Sequence, residues 1–193
     1  MNTDDKDGTN ITVIGQAAHV RNEVRFEKLL SRLETKYSSN PSRFHYLYSL
    51  VKAEVETNTA KSSSSCTNGL LWLTRSMDFQ VELFRNLAQN QDWTMAHACT
   101  DSYGKTLKKW HGWLAYSSFT VCIKLVPDRK KFLEVIRGTG DIYSDMEKFS
   151  TNFSPLLRDI HKFLVMNGSG IWNIPGPESP VSHNFLECSE VGV

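Results

Sequence analysis

The side chains best suited to chemistry are concentrated in residues 101–119, which read DSYGKTLKKWHGWLAYSSF. If this stretch is helical, Leu107, His111 and Phe119 recur at multiples of four residues and share one face. That face is apolar apart from the histidine. A lone histidine on an apolar face is usually a core residue whose ring nitrogens are satisfied. The spacing alone therefore predicts a buried histidine and does not define a site.

Three lysines and two tryptophans follow one another in the same stretch, at Lys105, Lys108, Lys109, Trp110 and Trp113. Such a cluster is most often a solvated helix face. It could also bind nucleic acid, but a net charge of +1 provides no global field that would attract a polyanion. Exposed tryptophan beside lysine also suits the headgroup region of a membrane, because indole prefers the interface and ammonium groups attract anionic lipid. We expect membrane contact here and no nucleic-acid partner.

No enzymatic motif accompanies these residues. The sequence contains no GxSxG, no HExxH and no phosphate-binding glycine loop. Its cysteines lack metal-ligand or redox spacing and read as free thiols of a reducing compartment; they are Cys66, Cys99, Cys122 and Cys188. We therefore predict a protein that is not an enzyme and needs no cofactor or metal. The sequence shows no secretory signal and no apolar run of membrane-spanning length, so we expect it in the cytosol.

Helical periodicity dominates the chain and predicts an all-α fold of about seven helices packed in layers. We expect a disordered tail over 1–19, a helical domain over 20–166 and an irregular or disordered tail over 167–193. The helices are predicted to begin near Val20, at Asn40-Pro41, near Gly69, at Trp93 after an Asp92 cap, at Asp128, at Asp141 and at Ser154-Pro155.

The helix that begins at Trp93 is predicted to continue to about Leu125. Its two internal glycines, Gly104 and Gly112, each cost about 1 kcal/mol of helix propensity relative to alanine. We expect a close approach of another backbone or of a bulky ligand at these positions.

Three blocks carry a resemblance to a known family: LLWLTRSMDF (70–79), the stretch at 101–119, and PDRKKFLEVI (127–136). They resemble the glycolipid transfer protein family, especially its plant members, with matching spacing from about Ser31 to Leu164. The resemblance implies a two-layer helical sandwich with a lipid cavity between the layers. It also implies a monomeric carrier that moves a sphingolipid passively, most often a glycosphingolipid, and touches membranes transiently as a peripheral protein.

The resemblance also implies roles for individual residues. Trp72 would stack on the first sugar, and His111 would hydrogen-bond the acyl-amide oxygen of ceramide. Arg32 matches a cationic headgroup position, and Arg75 lies one turn from Trp72 as a further candidate ligand. Apolar cavity-wall positions match Phe79, Leu107, Phe119 and Phe132. Membrane docking is assigned to Trp113 with Lys108 and Lys109.

Two departures from the family pattern leave alternatives open. Arg25 and Leu29 occupy the positions where the family carries an Asp and an Asn that bind the headgroup. The stretch before about Leu30 does not resemble the family, so its N-terminal helix is absent or altered, which would favour self-association through exposed apolar surface. One alternative is a transfer-deficient protein that only binds lipid or a partner. The other is a ceramide-1-phosphate-type binder that uses Arg25, Arg32 and Arg75.

Overall fold

Two long amphipathic helices form the centre of the fold. The computed structural model describes residues 27–137 and 140–167, and the two helices are α3 (Cys66–Gln89) and α7 (Ile142–Asn167). Leu71, near the start of α3, packs in one cluster with Leu164, near the end of α7. Leu83, near the end of α3, packs in another cluster with Met146, near the start of α7. The two helices therefore run antiparallel.

Shorter helices surround this pair: α1 (27–39), α2 (Leu47–Glu56), α4 (Met95–Lys105), α5 (Trp113–Cys122) and α6 (Arg129–Ile136). Single 3₁₀ turns at Lys108–Trp110 and Ile123–Leu125 flank α5. No strand occurs within the two described ranges, so the all-α prediction is confirmed. None of the helices there is both long and apolar enough to cross a bilayer. The predicted tail at 1–19, the predicted helix start at Val20 and the predicted tail at 167–193 lie outside the described residues, except that Asn167 is the last residue of α7.

Charged side chains hold both ends of α3. At its N-terminus, the buried carboxylate of Glu54 accepts hydrogen bonds from the backbone N–H groups of Cys66 (3.0 Å) and Thr67 (2.8 Å) and from the Thr67 hydroxyl (2.6 Å). At its C-terminus, the Arg129 guanidinium donates to the carbonyl oxygens of Leu87 (2.5 Å) and Asn90 (3.0 Å). An anion at the N-terminus and a cation at the C-terminus both interact favourably with the helix dipole. The helix that carries Trp72 and Arg75 is thus tied to α2 at one end and to α6 at the other.

The first helix is fixed to α3 by a close contact. Leu29 is buried, and its Cδ1 atom would lie 2.6 Å from a Cβ atom added at Gly69. A side chain at position 69 would require the Leu29 side chain to shift. The residue predicted to replace a headgroup acceptor therefore packs in the core between α1 and α3.

The predicted continuous helix from Trp93 to Leu125 is wrong. Thr94, and not Asp92, caps α4 by accepting from the His97 N–H, and α4 ends at Lys105. The Trp110 and His111 N–H groups then bond to carbonyls three residues earlier, and Gly112 is extended before α5 begins. The break thus begins after Lys105, and the extended backbone of His111 and Gly112 separates the 3₁₀ turn from α5. No backbone approaches Gly104 closely, because an added Cβ there meets no described atom within 4 Å, whereas the approach of a bulky ligand stays a prediction.

Other helix boundaries differ from the predictions in instructive ways. The predicted break at Ser154-Pro155 is wrong, because α7 continues through Pro155. The Ser154 hydroxyl bonds the Ser150 carbonyl at 2.6 Å, and packing along α3 keeps the helix continuous. Helix α2 begins at Leu47 and not at Pro41, after a turn in which the Asn40 carbonyl accepts from the Arg43 and Phe44 N–H groups.

Candidate functional site

The helix break brings His111 against Trp72. Trp72 lies in the second turn of α3 and is partly exposed, and its ring centroid is 5.9 Å from that of His111 with 19° between the planes. His111 itself is in extended backbone, with φ −100° and ψ 132°, between the 3₁₀ turn and α5. The apolar stripe of a continuous helix therefore does not exist. The break nevertheless brings together two residues that the resemblance assigns to ligand binding.

A buried arginine lies beside this ring pair. The Arg75 side chain is 1% exposed, and its Cζ atom lies 4.6 Å from the Trp72 ring centroid and 3.8 Å from that of Trp110. Both distances are within the range of cation–π attraction. Burial lowers the Arg75 pKa to about 10, although the charge of Asp78 acts in the opposite direction. Arg75 therefore remains a cation at neutral pH, between two indole rings.

His111 is neutral at neutral pH. Burial lowers its pKa below the ordinary value, and the positive charge of Arg75 lowers it further. Its Nδ1 atom lies 3.1 Å from the hydroxyl of Tyr103, whose ring stacks on Phe119 at 3.8 Å with 8° between the planes. The site thus contains an aromatic face, a buried cation and a neutral imidazole.

The fourth predicted ligand residue, Arg32, lies elsewhere. Its Nη1 atom donates to the Ser63 carbonyl at 3.4 Å, in the turn that precedes α3. This contact ties α1 to that turn and does not bring Arg32 into the cluster of Trp72, Arg75 and His111. Arg25, which was predicted at the neighbouring headgroup position, lies outside the described residues.

The four predicted cavity-wall residues divide into different environments. Phe79 and Phe132 both pack on the cluster of Leu83, Leu87 and Met146 at one end of the α3–α7 pair. Phe119 joins the Tyr103–His111 group, and Leu107 is half-buried in the turn after α4.

The predicted docking residues lie on the surface directly after this site. Trp113 is 77% exposed at the first position of α5. Lys108 and Lys109 belong to the preceding 3₁₀ turn, and the Lys109 Nζ atom lies 4.9 Å from the Trp110 ring centroid. An exposed indole therefore lies within a few residues of two lysines and of the ring pair.

Tyr103 and Trp110 are site residues without an assigned role in the sequence analysis. In a continuous helix, Tyr103 and His111 would be about 12 Å apart along the axis, at 1.5 Å per residue. The structure reduces the separation of their polar atoms to 3.1 Å. Gly112, interpreted as a helix-breaking residue, was the sequence signal that could have revealed this contact.

A groove of about 620 Å³ lies between α3, the end of α4 and α7. Two of its acidic residues are paired, Asp78 with His161 at 2.6 Å and Glu82 with both Arg85 and Lys105. Basic residues outnumber these acids along its walls; they are Arg85, Lys105, Lys109, Arg158 and Lys162. The groove contains Trp110, but Trp72 and His111 do not line it.

The described residues contain no group of three side chains able to hold a metal ion. Cys66 and Cys99 are buried free thiols, Cys122 is half-buried at the end of α5, and Cys188 lies outside the described residues. Burial raises the pKa of Cys99 to about 11, and burial together with the charge of Glu54 raises that of Cys66 to about 11.

Comparisons with known proteins identify the family of the chain. The family model for glycolipid transfer protein (GLTP) matches residues 11–138. Glycolipid transfer protein 1 of Arabidopsis thaliana is 62% identical over 139 residues, which are 72% of this chain and 69% of that protein. The chain therefore belongs to the glycolipid transfer protein family, as the sequence resemblance predicted. The match begins at residue 11, so the prediction that all of 1–30 lies outside the resemblance is wrong for residues 11–30.

Solved structures confirm the fold. Human ceramide-1-phosphate transfer protein bound to ceramide-1-phosphate superimposes with a TM-score of 0.68 at 17% identity, covering 81% of this chain and 79% of that one. FAPP2, which selects simple glycosphingolipids using the GLTP-fold, superimposes with a TM-score of 0.64 at 22% identity over 77% of this chain and 75% of that chain. The predicted fold class is confirmed. Membership of a family of transfer proteins also bears out the prediction that the chain is not an enzyme.

Proposed function

We propose that this protein binds a sphingolipid, most specifically a glycosphingolipid, and carries it passively between membranes. The observation that carries the proposal is the cluster of Trp72, Arg75 and His111, in which an indole face lies next to a neutral imidazole. A sugar ring stacks on the indole, and the imidazole donates to the amide carbonyl of the ceramide. The name of the 62% identical Arabidopsis relative supports a glycolipid as the ligand.

The two contacts would select for different parts of the lipid. A partly exposed indole offers an apolar face for a sugar and accepts many headgroups. A buried donor is more selective, because a ligand without an acceptor would leave it unpaired at a cost of about 1–3 kcal/mol. The amide is therefore the part of the lipid that we expect the site to recognise most strictly.

Phe79, Leu107, Phe119 and Phe132 are proposed to contact the hydrocarbon chains. Burial of those chains drives binding, at about 25 cal/mol per Å² of apolar surface removed from water. No covalent step or energy source is required.

The ceramide-1-phosphate alternative has less support from the site. Of the cations predicted for it, Arg32 contacts Ser63 and Arg75 lies between two indole rings, so these two described residues do not group around one phosphate. The measurement that tests the proposal is transfer of fluorescent glucosylceramide between vesicles, with fluorescent ceramide-1-phosphate in parallel. Faster transfer of the phosphate lipid would replace the glycolipid proposal, and transfer of neither lipid would favour the transfer-deficient alternative.

A substitution at His111 tests the role of the imidazole. His111→Leu is expected to reduce glucosylceramide transfer about tenfold or more, the effect of losing a hydrogen bond in a buried site. His45→Leu is the matched control, because His45 is exposed in the turn before α2. Equal transfer by the His111→Leu variant and the wild type, at equal helicity, would contradict the assigned role.

Docking is proposed to involve Trp113, Lys108 and Lys109, with the protein acting in the cytosol as a monomer that visits membranes peripherally. Trp113→Ala is expected to weaken sedimentation with phosphatidylserine-containing vesicles several-fold, because insertion of an indole at the interface is lost. Val121→Ala is the control, since Val121 is also exposed on α5. An equal effect of both substitutions would refute the docking surface.

A further inference from the structure

Tyr103 offers its hydroxyl to the imidazole of His111, in surroundings that restrict where the hydroxyl proton can go. The tyrosine is buried, and burial raises its pKa, so the phenol keeps its proton at neutral pH. Within the described part of the chain, the acceptor in reach of this proton is Nδ1 of His111, at 3.1 Å. If Nδ1 instead carried a proton and donated to the phenol oxygen, the phenol proton would be buried without an acceptor. That arrangement is costly, so the phenol is the donor.

The direction of this hydrogen bond fixes the position of the single proton on the imidazole. A neutral imidazole that accepts at Nδ1 carries its hydrogen on Nε2. The ring is kept neutral by its burial and by the guanidinium of Arg75, the charged group on the facing helix α3. The Nε2 atom makes no hydrogen bond with the residues that the structure describes. The free edge of the ring is therefore an N–H donor without charge.

We propose that Tyr103 is a positioning residue that locks His111 in the Nε2–H tautomer, so that the site accepts lipids presenting a carbonyl acceptor at this point. The inference rests on the proposed function. A neutral N–H group pairs with an amide oxygen, whereas a histidine free to change tautomer would present an acceptor part of the time. Tyr103 thus determines specificity for the acyl amide without touching the lipid.

The ring of Tyr103 allows the hydroxyl to be removed with little other change. Phe119 stacks on that ring at 3.8 Å, and Tyr103→Phe retains this contact. A tyrosine of α7, Tyr143, is half-buried and provides the matched control Tyr143→Phe. Both substitutions remove one phenol hydroxyl, but only the first one lies beside His111.

The first readout is the tautomer itself, measured by long-range ¹H–¹⁵N correlation spectra of the ¹⁵N-histidine-labelled full chain without lipid at pH 7. The His111 signals are assigned by their absence in His111→Leu. We expect a protonated Nε2 and an unprotonated Nδ1 in the wild type and in Tyr143→Phe. In Tyr103→Phe both nitrogen shifts should move toward the values of a tautomer mixture. A protonated Nδ1 in the wild type, or an unchanged spectrum in Tyr103→Phe, would overturn the inference.

The second readout is selectivity between two lipids with the same sugar. Tyr103→Phe should weaken binding of glucosylceramide about threefold to tenfold, the range expected for one hydrogen bond. It should leave binding of glucosylsphingosine, which lacks the acyl amide, unchanged. An equal loss for both lipids would mean that Tyr103 acts only on packing. Absence of glycolipid binding by the wild type would refute the proposed function, while the tautomer measured without lipid would still decide the role of Tyr103.

Discussion

Replacement of Glu54 by glutamine should destabilise the fold by about 2–4 kcal/mol, from the loss of charge-assisted hydrogen bonds and of a favourable charge at the helix N-terminus. The carboxylate is 7% exposed and accepts three hydrogen bonds at the start of α3. A glutamine keeps one oxygen but places an NH₂ group against an N–H donor. At least one donor of Cys66 or Thr67 then stays buried without an acceptor, which accounts for most of the expected change.

Urea denaturation followed by circular dichroism would measure this effect. With a slope of about 2 kcal/mol per molar urea, the midpoint of Glu54→Gln should fall by about 1–2 M. Glu56→Gln is the matched control, because Glu56 is exposed and its ion pair with Arg43 is long, at 3.7 Å. Such a pair is worth about 0–1 kcal/mol, so its midpoint should hardly move. Equal midpoints for Glu54→Gln and the wild type would refute the reasoning that this buried anion holds the start of α3.

Three further outcomes follow from packing and pKa. Pro155→Ala should raise the melting temperature, because proline inside a helix costs about 3 kcal/mol relative to alanine. Proline has no backbone N–H to donate to the carbonyl of Thr151. A lower melting temperature of the variant would contradict this. Cys66 and Cys99, with pKa values of about 11, should be about one part in a thousand thiolate at pH 8, so iodoacetamide should label them only after unfolding, as measured by peptide mass spectrometry. The pKa of His111 is lowered in the folded chain, so below about pH 6.5 the unfolded chain binds more protons than the folded chain. The free energy of unfolding should therefore decrease as the pH falls below that value. His111→Gln should therefore lose less stability than the wild type between pH 7.5 and 5.5 in urea titrations.

The helical class was predictable because apolar residues recur with helical periodicity in the long helices α3 and α7, and in most of the shorter ones. Boundaries were less predictable where tertiary contacts oppose local propensity. Pro155 is a strong local stop signal, yet α7 continues through it because α3 offers a continuous apolar surface along its length. Conversely, residues 93–125 looked like one helix, but α4 ends at Lys105 and the backbone is extended at His111 and Gly112 before α5 begins.

The site was predictable in part. Trp72 and His111 meet as the resemblance implied, although through a break and not through a helix face. Arg75 was expected as a ligand residue, but its place between two indoles depends on the fold of Trp110, which spacing does not reveal. The Tyr103–His111 contact was hidden for the same reason, since periodicity describes regular elements and this contact spans an irregular one.

Because α3 is attached at both ends, insertions or deletions of residues within it should be poorly tolerated. Glu54 and Arg129 hold the two termini of a 24-residue helix, a length of about 36 Å. One extra codon between them would rotate the following residues by about 100° and displace them by about 1.5 Å. If the insertion followed Arg75, it would turn Phe79 away from its cluster and move the last carbonyls away from Arg129. Natural and engineered insertions are therefore expected in the turn at 57–65, which precedes α3, and not at 90–94, where Arg129 bonds the carbonyls of Asn90 and Trp93.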